Sequence, residues 1–273
     1  IRLAIGKQVN KSGSEEERIM SAGAGSSVET PKIELLSAWF CPYAQRAWIA
    51  LEEKCKGEIS VTESMKITPP IFFEKTPLLL EKHPNAQVPV IIDRRGDAEV
   101  VVYESLVCVE FVDEAMGDGK PTLLPGPPSQ RAHARIWANK LDNGICTQFY
   151  NLIMKQGKIL QEAAAEKILC GLREFSQHCK GPFFYGNEFS MVDIAIAPWA
   201  VGIRMDVLKH YRNFEVPRTE EYDKYWEWAS AVQERPSFIA TASNDLSAMI
   251  AVYLPYADGI GYCSVQGKGV TEK

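Results

Sequence analysis

The chain has 273 residues, a net charge of -5 and 46% apolar residues. That length supports two ordinary domains or one large one, and the composition is that of a globular protein. Lys and Arg are scattered along the chain with no phosphate-tracking run, which argues against nucleic-acid binding.

Residues 1–30 are rich in Ser, Gly, Lys and Glu beyond the first few positions and bury too little apolar surface to offset their ordering entropy, so they are expected to form a flexible extension. Ile1 to Gly6 is apolar but too short for a signal core, and the acidic run Glu15 to Glu17 argues against a transit peptide. No segment reaches the roughly 18 apolar residues of a membrane span. The expected compartment is the cytoplasm, and no membrane association is expected.

From residue 31 the elements alternate. Lys32 to Ala38 reads as a strand, and Pro42 opens a helix to about Lys54. Ile59 to Ser64 reads as a second strand, and residues 71–82 as an irregular helix broken near Pro77. Val88 to Asp93 and Val100 to Tyr103 form a hairpin across Arg94–Asp97, followed by a helix from Ser105 to Met116. The order gives a parallel first pair and an antiparallel second pair, which predicts an α/β domain over 31–116 with a mixed four-stranded sheet. Residues 117–129, rich in Gly and Pro, read as a linker. Strand signals then stop. Gln130–Tyr150, Lys158–Cys179, Ser190–Lys209, Glu220–Gln233 and Phe238–Met249 favour helix, so 130–256 is expected to be an all-α domain and 257–273 a loose tail.

Seven cysteines are spread over the chain, at 41, 55, 108, 146, 170, 179 and 263, and no two have Cys-x-x-Cys spacing. This excludes a secreted disulfide framework and fits a reducing compartment. His178-Cys179 has no partner at finger-like spacing, so no metal site is expected. Cys41 stands apart. It follows a strand and a short loop and precedes Pro42, a residue favoured at the first helical position. Its sulfur is then expected to accept from the free amides of Tyr43 and Ala44 at the positive end of the helix dipole, which favours thiolate over thiol. Ala44 occupies the place of a resolving cysteine, so the simpler chemistry is monothiol exchange completed by a soluble thiol. Cys108, Cys170 and Cys179 fall in helical stretches and read as packing residues. Ser190-x-x-Asp193 is a capping box, assigned to folding.

The segment Phe40-Cys41-Pro42-Tyr43-Ala44-Gln45-Arg46 resembles the active-site motif of omega-class glutathione transferases and of the plant lambda and dehydroascorbate reductase classes, which use Cys where most transferases use Tyr or Ser. Asn85-Ala-Gln-Val-Pro-Val90, Tyr103-Glu104-Ser105 and Gly186-Asn187-Glu-Phe-Ser190-Met-Val-Asp193 resemble three further family motifs in the family's order, so the likeness runs from about Lys32 to about Leu246. The resemblance implies the cytosolic glutathione transferase fold, with a thioredoxin-like front half and an all-α back half. It implies glutathione, or a glutathione-derived thiol, as cosubstrate. By the same likeness Cys41 is the nucleophile, and Phe40, Lys75, Val88, Pro89, Glu104 and Ser105 bind glutathione. Pro89 is then cis, Val88 pairs its backbone with the tripeptide, and Glu104 and Ser105 hold the γ-glutamyl end. Lys75 has Lys66 and Lys82 as neighbouring alternatives. Tyr150, Trp199 and Arg204 are candidates for an acceptor site.

The expected activity is a glutathione-dependent thiol transferase or dehydroascorbate reductase that passes through a Cys41 mixed disulfide. Its partners are small-molecule thiols and disulfides, and the family implies a homodimer. Two alternatives share the fold. Chloride intracellular channel proteins also place Cys-Pro at this helix, and non-catalytic assembly modules of translation complexes commonly lack the cysteine.

Overall fold

The computed structural model describes residues 30–55, 59–68, 72–116 and 123–260. The expected extension before Thr30, part of the expected linker and the expected tail after Ile260, Cys263 included, lie outside the described residues. The described residues from Pro31 onward form one compact unit.

Strand β1 (Ile33–Ser37) is buried at all five positions, as a strand covered on both faces must be. It pairs in parallel with β2 (Ser60–Glu63), Leu35 opposite Val61, and antiparallel with β5 (Val90–Asp93), Leu35 opposite Ile91. Between β5 and the first strand pair lie β3 (Met65–Thr68), β4 (Phe72–Lys75) and α2 (Pro77–Lys82). Strand β6 (Val100–Tyr103) closes the sheet beside β5, giving the order β2-β1-β5-β6. A parallel pair needs a long crossover, and α1 (Pro42–Cys55) supplies it. Ala44, Ala47 and Ala50 are fully buried on α1. Their small side chains let it sit close to its neighbours, among them α3 (Ser105–Ala115). This is a thioredoxin-like domain with the expected mixed four-stranded sheet.

One expectation fails here. Residues 71–82 are not a broken helix. Strands β3 and β4 form a separate hairpin, with Ile67 opposite Phe73. Pro77 begins α2 instead of interrupting it, because proline has no amide to lose at the first helical position. Thr76 caps that helix by accepting from the Leu79 amide at 3.3 Å.

The back half is helical: α4 (Pro128–Leu141), a π-helical turn at Asp142–Cys146, α5 (Thr147–Met154), α6 (Lys158–His178), α7 (Met191–Ala200), α8 (Ile203–Arg212), α9 (Asp223–Gln233), α10 (Pro236–Thr241) and α11 (Leu246–Ala257). Three expected helices are interrupted. The π turn divides 130–150. Val201-Gly202 divides 190–209, and Gly202 has a φ of 68°, open to glycine at little cost. The last expected helix splits after Thr241, and Asp245 restarts it by accepting from the Ala248 amide. As a result α11 runs eight residues past the expected end at Met249, and those residues reach the site described below. No helix among the described residues is long and apolar enough to cross a membrane.

Asp193 organises the back half. It is fully buried and accepts from the Ser190 amide (2.9 Å), the Ser190 hydroxyl (2.8 Å), the Phe184 amide (2.8 Å) and the Trp228 indole (2.9 Å). The capping box read in the sequence is present, and it also ties α7 to α9. Burial nonetheless pushes its carboxyl up to about 6, against the pull of those donors. Replacing Asp193 by Ala strands four buried donors and is expected to cost about 3 kcal/mol or more in urea unfolding at pH 7. The sign with pH follows from the raised value. Between about pH 4 and 6 the unfolded carboxyl has lost its proton while the folded one keeps it. The wild-type advantage over Asp193→Ala should therefore shrink as pH rises through that window, and a growing advantage would contradict the assignment.

Candidate active site

Cys41 closes the turn after β1, donating its amide to the Ala38 carbonyl at 2.8 Å, while its own carbonyl accepts from Gln45 at 3.1 Å. The amides of Tyr43 and Ala44 reach its sulfur, as the sequence implied, and Arg204 and Arg46 add positive charge nearby. The expectation of a thiolate at rest is nevertheless corrected. Burial raises the Cys41 thiol above the ordinary cysteine value and outweighs the amides and the two guanidinium groups. The amino-acid pattern displays the dipole but not the depth at which the sulfur sits. The residue as a whole keeps partial solvent exposure, so it is accessible although poorly hydrated.

The sulfur opens into a cavity of about 450 Å³ whose walls include Phe40, Lys75, Val88, Pro89, Glu104 and Ser105. The Val88–Pro89 bond is cis. Glu104 has a φ of 70°, a strained value for a residue with a side chain. This kink ends β6 and starts α3 within one residue, so that Ser105, the first residue of α3, lines the cavity beside Glu104. Glu104 is exposed and makes no capping bond with its side chain, so it is not an ordinary N-cap. The Ser105 hydroxyl accepts from Arg46 Nη1 at 3.2 Å, which leaves its proton to donate. Of the three lysines weighed, Lys75 lines the cavity. Lys82 is held by Glu99 at 2.6 Å, and Lys66 is exposed on β3. Burial lowers the Lys75 ammonium below its usual value.

The β3–β4 hairpin and α11 build walls that the sequence did not reveal. Phe73 stacks on Phe40 with centroids 5.2 Å apart, and Met65 lies beside it in the wall. Tyr253 and Tyr256 enter from α11, and Tyr150 from α5. His83 and Gln87 complete the side near the cis bond. Gln87 was within reach of sequence reasoning, since it directly precedes Val88. The two tyrosines of α11 share one helix face, but so do most packed aromatics.

Two acceptor candidates are reassigned. Trp199 and Arg204 do not line the cavity and are buried beneath it. Arg204 donates to the Phe40 carbonyl (2.8 Å), the Gln45 side chain (2.8 Å) and the Pro198 carbonyl (3.0 Å). It thus ties α8 to the residue before the nucleophile. Trp199 stacks edge-on against Tyr43 at 4.7 Å.

Residues 40–115 match the N-terminal domain and residues 159–231 the C-terminal domain of the glutathione S-transferases. Glutathione S-transferase U16 of Arabidopsis thaliana is 31% identical over 63% of this chain and 72% of its own length. The chain belongs to the glutathione S-transferase family. Its fold is that of the cytosolic members, and the cosubstrate of the family is glutathione. Among solved structures, glutathione transferase Omega 3C from Trametes versicolor has 32% identity and a TM-score of 0.68, covering 79% of this chain and 91% of that one. Rice GST1, solved in complex with glutathione, has 25% identity and a TM-score of 0.68, covering 84% and 99%. The curated relatives are mostly plant transferases of the U series, while the solved structures include both Omega and Tau classes. These likenesses establish the transferase family and do not separate the Omega from the Tau class.

None of the other described cysteines lines the cavity. Burial pushes Cys108 and Cys146 up to about 12 and Cys179 up to about 11. Cys170 was expected to pack within its helix, but it faces solvent. Alkylation of Cys41 by iodoacetamide should have a pH midpoint above that of a free cysteine. Arg204→Met should move this midpoint higher still, because a favourable charge is lost. A midpoint well below the free value would contradict the buried-thiol description.

Proposed function

We propose that this transferase is a Cys-type, omega-like enzyme that reduces small mixed disulfides, or an oxidised acceptor such as dehydroascorbate, at the expense of glutathione. The single observation that carries the reading is an accessible sulfur at the start of α1, with two backbone amides reaching it and a glutathione-sized cavity in front of it. The cavity suits the tripeptide. Lys75 offers a cation for its glycyl carboxylate, the backbone at Val88 offers an extended edge for its cysteinyl part, and Glu104 and Ser105 offer a carboxylate and a donor for its γ-glutamyl ammonium and carboxylate. Phe40 closes the wall between them. Residues 31–116 then serve glutathione, 130–256 supply the acceptor side, and 117–129 connect them. Cytoplasmic localisation and a homodimer accompany this reading.

The chemistry is two successive exchanges. Cys41 sulfur attacks the glutathione sulfur of a mixed disulfide, the disulfide bond breaks, and the partner leaves as a thiolate. A second glutathione thiolate attacks the Cys41–glutathione disulfide at the glutathione sulfur, forming oxidised glutathione and returning Cys41. Because Cys41 rests as the thiol, attack goes through its thiolate fraction, with the proton given up to water, and the higher basicity of that thiolate makes it the stronger nucleophile once formed. The amides of Tyr43 and Ala44 act where they are needed, on the charge that collects on the sulfur as Cys41 is released.

The U-series relatives favour a second reading, conjugation of glutathione to electrophiles. A cysteine that captures glutathione covalently is poorly suited to that task. Cys41→Ser should fold normally and lose disulfide reductase activity to background, and the wild type should conjugate chlorinated aromatics weakly. Full reductase activity in the serine variant would remove Cys41 from the mechanism, and fast aryl conjugation by the wild type would favour the second reading.

A further inference from the structure

The mechanism above leaves one group of side chains unused. Tyr150 and Tyr253 line the same cavity as Cys41. Tyr253 is 2% exposed, and its hydroxyl interacts with both Arg204 and the Tyr150 hydroxyl. Tyr150 stacks parallel to Tyr43, the residue two after the nucleophile, at 6.4 Å, and packs against Tyr256 at 5.7 Å. Both phenols lie close enough to Cys41 to sense its charge.

A guanidinium only donates, so Arg204 faces the Tyr253 oxygen as a positive charge and takes no proton from it. One bond between the two phenols uses one hydroxyl proton. Whichever phenol donates to the other, a second phenolic proton is left over, and both residues line the cavity that holds Cys41. Burial holds both phenols above their ordinary value, so they remain neutral donors at working pH. Arg204 also holds the Phe40 carbonyl, so one buried cation fixes both the nucleophile's loop and the donor pair opposite.

We propose that Tyr150 and Tyr253 form a hydrogen-bond donor site for the thiolate leaving group, with Arg204 as the residue that positions it. This rests on the Cys41 reading above and assigns the acceptor side of the same site. The step balances as follows. Cys41 thiolate forms a bond to the glutathione sulfur, the bond between that sulfur and the partner sulfur breaks, and the electron pair stays on the partner as R–S⁻. The phenolic proton bonds to this sulfur as charge develops, and R–S⁻ then takes from water the proton that the Cys41 thiol gave up. Cys41 is oxidised to the mixed disulfide and the partner sulfur is reduced.

A donor to a leaving thiolate matters most when that thiolate is basic. The test compares first-turnover release from two glutathione mixed disulfides, one of 2-mercaptoethanol and one of 4-nitrothiophenol, in wild type, Tyr150→Phe and Tyr253→Phe. Loss of a hydrogen bond to a charged group is expected to slow release of the alkyl thiol about tenfold or more. Release of the nitrothiolate should change less than about twofold. Equal losses on the two disulfides would mark the tyrosines as structural and overturn the proposal, and so would no loss on either. The two readings fail separately. Cys41→Ser activity decides the nucleophile, and the difference between the two leaving groups decides the donors.

Discussion

Arg46 is the constraint on which the architecture depends. It sits on α1, four residues before Ala50 in the most buried helix of the front half, and is 1% exposed. A guanidinium removed from water costs several kcal/mol unless its donors are matched. Its partners are the Ala195 carbonyl of α7 (2.9 Å from Nε and 2.5 Å from Nη2), the Ser105 hydroxyl of α3 and Asp142 at 2.6 Å. The rings of Trp199 and Tyr43 flank it at 4.4 and 5.3 Å. These groups belong to both halves of the protein, so the cation is satisfied only when the sheet domain and the helices are docked. The π-helical turn takes part in the same arrangement, since its widened backbone brings both Asp142 and the Cys146 sulfur to Nη2.

The same helix is fastened along its length. Gln45 meets Arg204, Arg46 meets α7, and Glu53 receives a bidentate bond from Arg235, at 2.7 Å to each oxygen, together with a bond from Ser237. The helix that carries Cys41 at its start therefore cannot shift without breaking buried polar contacts. This rigidity makes two backbone amides an effective charge stabiliser, because they are already oriented when charge appears.

Much of this was legible in the sequence. The short apolar runs of β1, β5 and β6 and the Pro42 start of α1 carry their own local signals, and the structure places them within a residue or two of the reading. The capping box at Ser190 and Asp193 was legible for the same reason. The β3–β4 hairpin was not, because its short strands adjoin a proline that is as much a helix start as a break. The cavity's sheet-side residues came from motif resemblance, since nothing in the composition of Glu104-Ser105 distinguishes a strained cavity wall from a plain cap. The roles of Arg46 and Tyr253 escaped, and Arg204 was assigned to the acceptor site instead of to the nucleophile's loop, because their meaning lies in contacts 50 to 160 positions apart. The elevated thiol at Cys41 escaped for a related reason. The helix start is a local property, whereas burial is set by walls drawn from β4, α5 and α11.

The central claim is that one sulfur, held between the two halves, forms a covalent bond with glutathione. Its most direct measurement is intact mass after incubation of the wild-type protein with oxidised glutathione, followed by peptide mapping. A single glutathionyl adduct at Cys41, removed by reduced glutathione, is the expected result. An unmodified Cys41, with label only on the exposed Cys170, would contradict it.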